Sequence, residues 1–118
     1  MIKLQQRVYY IEIIAMYKIS FYVPETHLEK LKEALFQSGA GKIGNYERCS
    51  WQVKGEGQFF SKAGSKPFLG KELQLERVEE YLVEMICHDE FIHCVLATLK
   101  SLHPYETPVY SVVKLEKL

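Results

Sequence analysis

Residues 72–87, ELQLERVEEYLVEMIC, decide the fold, because they support two readings with different consequences. Leu75, Val78, Leu82 and Met85 recur at helical spacing and would line one side of a helix. Tyr81, Val83, Met85 and Cys87 alternate with Leu82, Glu84 and Ile86, as in a half-buried strand. Periodicity alone does not separate the two, and the neighbouring segments must.

Upstream, Tyr17, Ile19, Phe21 and Val23 alternate with Lys18, Ser20 and Tyr22, a period of two that predicts a strand closed by Pro24. Thr26-His27-Leu28-Glu29 reads as a capping box opening a helix whose apolar stripe is Leu28, Leu31, Ala34 and Leu35. Gly39 and Gly41 end it. Residues 46–53 extend again with Cys49, Trp51 and Val53 on one face, Gly55-Glu56-Gly57 offers a tight turn, and Gln58-Phe59-Phe60 would return antiparallel. Residues 61–71 read as an ordered loop.

Downstream, Asp89 is the expected N-cap of a helix carrying Phe91, Ile92, Val95, Leu96 and Leu99, and His103-Pro104 stops it. Val109, Ser111, Val113 and Leu115 form a last strand. With 72–87 as a helix, this last strand lacks a partner. With 72–87 as a strand, the order is β-α-β-β-α-β, an α+β ferredoxin-like antiparallel sheet with two helices on one face.

The chain has 118 residues, room for one domain. Residues 1–15 are expected to be an extension outside the fold, with Met16 a candidate start of translation, and 16–118 to be the single domain. A 47 % hydrophobic content supports a core without disulfides or a structural metal. Fifteen basic against fifteen acidic residues leave no net charge to draw nucleic acid or an anionic membrane. No run reaches the roughly 20 apolar residues of a membrane span. The three cysteines, Cys49, Cys87 and Cys94, form no C-x-x-C pair, which predicts reduced, buried thiols and a cytoplasmic location.

Gly39-Ala40-Gly41-Lys42-Ile43-Gly44 matches G-x-G-x-x-G, but it follows a helix and precedes a strand, the reverse of a dinucleotide site. It reads instead as a helix C-cap needing positive φ, with an anion nest of loop amides and Lys42 as the functional alternative. His88 and His93, five apart, do not share a helix face as metal ligands would, and structural or surface histidines fit better. No nucleophile elbow or phosphate loop is present. His103-Pro104-Tyr105-Glu106-Thr107-Pro108 is the most distinctive run, a proline-stiffened segment that presents its side chains with little entropy to lose.

The glycine run through Tyr46, then Cys49, then Gly55-Glu56-Gly57-Gln58-Phe59, and finally the 103–108 segment together resemble the insert domain of the Nif-three-like (NGG-interacting factor three) family, over residues 16–116. The HPYE run also resembles the end of the CutA family, whose ferredoxin-like fold is shared with PII signalling proteins. Larger Nif-three-like proteins carry flanking lobes with a two-metal site and a His-His-Pro segment. Neither has a counterpart here, so hydrolase chemistry is not carried over and a stand-alone insert module is expected. Phe59-Phe60-Ser61 stands where the family has Phe-Arg-Pro.

The resemblance implies a homotrimer, with sheets extended at their edges and a ligand cleft between subunits. The candidate ligand-binding residues are Gly41, Lys42, Gly44, Tyr46, Cys49, His103, Tyr105 and Glu106, on the expectation that the glycine and HPYE loops converge. A small anion, a metabolite or a divalent metal ion is the expected ligand, with His103 and Glu106 the candidate metal ligands. Two alternatives stand beside this non-catalytic module: an enzyme using His103 and Glu106 as an acid–base pair, and a ligand-free structural protein.

Overall fold

The computed structural model describes residues 15–116, so the expected extension at 1–15 lies almost wholly outside the described residues. The elements are β1 (Met16–Val23), α1 (Glu25–Gln37), β2 (Trp51–Phe60), β3 (Leu75–His88), a 3-10 turn (Asp89–Phe91), α2 (Ile92–Leu102) and β4 (Tyr110–Leu115). The strands form one antiparallel sheet in the order β2-β3-β1-β4. This is the βαββαβ ferredoxin-like arrangement, with residues 75–88 a strand.

The partner expected of that strand differs. β4 pairs with β1, Ile19 facing Val112, whereas β3 joins β1 to β2. The central position of β3 explains its double pattern. Val83, Met85 and Cys87 are buried against the helices, with Ile19, Phe21 and Val23 of β1 beside them. The intervening residues Val78, Leu82 and Ile86 point to the other face, since side chains alternate across a strand. Apolar residues on both faces mimic a helical stripe.

Leu28, Leu31 and Leu35 of α1 and Ile92, Val95 and Leu99 of α2 close the core over one face of the sheet. The two helices meet where Ser38 Oγ and Thr98 Oγ1 share a hydrogen bond of 2.8 Å. Ala34 is only half-buried. No element covers the opposite face among the described residues. Trp51 (58 % exposed), Val53 (44 %), Tyr22 (42 %) and Val113 (50 %) stand there in solvent, with Leu82 between them.

Three local expectations are corrected. The capping box at Thr26 does not form: α1 starts at Glu25 behind Pro24, and the Thr26 hydroxyl meets the His27 ring at 2.9 Å. Asp89 opens the 3-10 turn rather than α2, and its amide donates to the Ala15 carbonyl. Gly55-Glu56-Gly57 is not a turn, because β2 runs unbroken through it from Trp51 to Phe60. Gly57 lacks a side chain for a different reason: a Cβ there would overlap the Glu80 carboxylate, which lies across it. The hairpin turns at 61–74 instead, and the 55–60/75–80 arm projects past the end of β1.

Candidate functional site

The candidate residues fall into two groups at opposite ends of the sheet. The glycine loop is tied to the end where β3 finishes: the Gly41 amide donates to the Ile86 carbonyl (2.8 Å), and the Lys42 carbonyl meets His88 Nε2 (3.1 Å). The HPYE loop is tied near the other end, at Tyr22 and Glu80. Ile86 lies six positions along β3 from Glu80, about 20 Å at roughly 3.3 Å per residue. The expected convergence of Tyr46 and Cys49 with His103, Tyr105 and Glu106 therefore does not occur within one chain. α1 and α2 set this geometry, because the glycine loop follows the first and the HPYE loop the second, and the two helices finish at opposite ends of the sheet.

At the glycine end, Gly39 and Gly41 have φ of +119° and +83°, as the C-cap reading requires. The anion nest is not formed by these amides. Those of Gly39, Ala40, Gly41, Ile43 and Cys49 all donate to carbonyls of the protein itself. Lys42 lies 5.0 Å above the Phe91 ring, and Arg48, at φ 58°, is paired with Glu33 at 2.7 Å. Gly44 has open space around its Cα, Tyr46 is 75 % exposed, and the Cys49 thiol is half-buried near the Glu47 carbonyl. The expectation of three buried thiols holds only for Cys87, whose burial pushes its pKa up to about 11; Cys94 is exposed.

At the other end His103 is buried and committed on both ring nitrogens. The Tyr105 amide donates to Nδ1 (3.1 Å), so Nε2 carries the proton and donates to the Tyr22 carbonyl (2.6 Å). Burial lowers the His103 pKa, against the pull of the Tyr22 carbonyl, with His27 lowering it further and Glu80 opposing. A neutral imidazole with both nitrogens used cannot also bind a metal ion or shuttle a proton without breaking this lock. In this arrangement both ring nitrogens of His103, the residue expected to pair with Glu106 around a metal or as acid and base, are taken by backbone partners. Glu106 Oε2 accepts from the Lys66 amide (3.2 Å) instead.

Tyr105 reaches the sheet, donating its hydroxyl to Glu80 Oε2 at 2.9 Å; burial, then this carboxylate, pushes the phenol pKa far upward. Phe68, from the 61–74 loop, packs between His27 (5.2 Å between centroids, edge-on) and Tyr105 (6.3 Å). The hairpin arm, its returning loop and the HPYE segment thus enclose a groove of about 460 Å³. Tyr22, Phe59, Phe68 and Tyr105 contribute its aromatic walls, and Glu80 and Glu106 its carboxylates. Tyr105 and Glu106 were legible as candidates from the stiff HPYE run. Glu80, Phe68 and Gly57 were missed, and the one signal for them was the glycine pair inside an otherwise extended segment.

No family model matches the chain. It is 42 % identical over 101 residues to a GTP cyclohydrolase 1 type 2 homolog of Halalkalibacterium halodurans, covering 86 % of this chain and 27 % of that protein. The corresponding Mycobacterium tuberculosis protein is 40 % identical over 94 residues, covering 80 % and 25 %. The chain thus spans about a quarter of the length of the curated relatives it matches. Among solved structures, a Bacillus cereus protein related to NIF3 superposes with a TM-score of 0.74 at 36 % identity, over 88 % of this chain and 26 % of that one. CutA from Archaeoglobus fulgidus superposes with a TM-score of 0.60 over 86 % and 85 % of the two chains, at 17 % identity, a likeness of fold. The sequence matches and the shared architecture agree, and the chain belongs to the Nif-three-like family as one CutA/PII-like domain of ferredoxin-like fold.

Proposed function

We propose that this domain is a non-catalytic binding and assembly module, self-associating as a trimer and holding a small ligand at its HPYE end, close to a subunit boundary. The carrying observation is the uncovered sheet face. Trp51, Val53, Tyr22 and Val113 each expose two-fifths or more of their surface on one side of a four-stranded sheet. Tyr22, Leu82, Val53 and Trp51 adjoin one another, with Val113 set apart across Ser20 and the Lys18–Glu84 ion pair; burying such apolar surface returns roughly 25 cal/mol per Å² and favours association. The outer edges of β2 and β4 add unpaired backbone groups that a neighbouring copy could engage. The CutA/PII-like fold supports the same reading by analogy.

The ligand seat is the groove beside Tyr105. The glycine loop is the weaker seat, since the amides of Gly39, Ala40, Gly41, Ile43 and Tyr46 are spent internally. A non-catalytic role fits the commitment of His103 to backbone partners. Native mass spectrometry tests the assembly: a trimer at micromolar concentration is expected, and a monomer alone would overturn it.

A further inference from the structure

We infer that the groove past the end of β1 selects organic cations, specifically an ammonium or amidinium group carried on a flat aromatic body. This rests on the groove being the module's ligand seat and adds the chemical class that it accepts. The walls are aromatic: Phe68 is wedged between His27 and Tyr105, and Tyr22 and Phe59 rise from the sheet. Such rings favour a stacked flat ligand and attract a cation placed over their faces.

The charge of the groove points the same way. Glu80 and Glu106 both line it, and neither takes part in an ion pair among the described residues. Glu80 uses Oε2 for the Tyr105 hydroxyl, and Glu106 uses Oε2 for the Lys66 amide; the second oxygen of each accepts no hydrogen bond among the described residues. Lys62 is the single basic residue lining the groove, on the exposed loop. An anion would meet two carboxylates and one mobile ammonium; a cation meets complementary charge and ring faces.

The absence of a side chain at Gly57 belongs to this arrangement. Glu80 lies flat across that position, which a Cβ would deny it, and this posture carries its carboxylate to the Tyr105 hydroxyl.

The test titrates the full chain with phenethylammonium and, separately, with 3-phenylpropionate, of similar shape and opposite charge, following backbone amide shifts by NMR. Phenethylammonium is expected to move the amides of Gly57, Ser61 and Tyr105, and to bind about tenfold or more tighter than the carboxylate. Glu80→Gln and Glu106→Gln should each weaken it about threefold or more. Glu106 lies on an exposed loop, so its variant serves should Glu80→Gln disturb Tyr105. Equal or tighter binding of the carboxylate overturns the cation preference and leaves the groove as a ligand seat. Unmoved groove amides at saturating concentrations of both probes overturn the inference. Native mass spectrometry on the same samples reads assembly independently, so a trimer that ignores both probes refutes the ligand class without refuting association.

Discussion

Replacing His103 with alanine distinguishes a structural lock from a ligand-binding role, and its size follows from the geometry. The imidazole donates to the Tyr22 carbonyl and accepts from the Tyr105 amide, so it ties the end of β1 to the HPYE loop across 81 residues of sequence. Each bond contributes about 0.5–1.5 kcal/mol net, and truncation leaves two backbone groups without a partner at a site that is 7 % exposed. Removing the ring also ends its tilted contact with the Tyr105 ring (4.8 Å between centroids, 58° between planes), worth about 0.5–1.5 kcal/mol. The sum is about 2–4 kcal/mol, a fall in melting temperature of roughly 10–25 °C for a domain of this size. Circular dichroism melts at one fixed protein concentration measure it, because the proposed assembly would make the midpoint depend on concentration.

The pH dependence has a definite sign. The folded pKa of His103 lies below the unfolded value of 6.5, so the unfolded chain takes up the proton first as pH falls. The stability contribution is complete above about pH 6.5 and declines through more acid values, and this slope should be smaller in His103→Gln. A loss under about 0.5 kcal/mol in His103→Ala would refute the lock, since surface substitutions alone reach that size.

Other consequences are equally direct. Val53→Glu combined with Val113→Glu puts charge on the uncovered face, and native mass spectrometry should then show monomer with an unchanged circular dichroism spectrum; a persistent trimer would place the interface elsewhere. Gly57→Ala forces Glu80 away from Tyr105 and should cost about 1–3 kcal/mol in urea unfolding, whereas a turn glycine in an open position would tolerate alanine if its φ were negative. In the native state a thiol reagent at pH 8 should label Cys94 first and Cys49 next while sparing Cys87, whose thiol is buried with its pKa near 11; prompt labelling of all three would contradict the packing of β3.

The fold was legible wherever one face of an element is wet. β1 announces itself because Ile19, Phe21 and Val23 alternate with exposed or half-exposed neighbours. Residues 75–88 did not, because β3 carries apolar residues on both faces, and only the count of elements made it a strand. Gly55 and Gly57 were read as a turn because sequence does not distinguish a glycine that bends the chain from one that admits a cross-strand side chain. The stiffness of 103–108 was legible from its two prolines. Its partners were not: Tyr22 and Glu80 are joined to it by contacts across 81 and 25 residues, and the hydroxyl and carbonyl involved carry no local pattern.

The separation of the two motifs changes what each is for. Had the glycine loop and the HPYE loop met, His103 could have been one of several groups around a common ligand. Held apart by the length of β3, they must each be explained by their own surroundings. The amides of Gly39 and Ala40 close the end of α1 and that of Gly41 ties it to the sheet at Ile86, which is a folding task. In the HPYE loop the roles divide by residue: His103 turns inward and fixes the backbone, and this fixation lets Tyr105 present its hydroxyl to Glu80 and its ring to Phe68. Both loops sit at the ends of the strands, so neither obstructs the uncovered face. Tyr22 stands both on the uncovered face and in the wall of the groove, so on the proposed function a copy docked on that face and a ligand in the groove would meet at a shared residue.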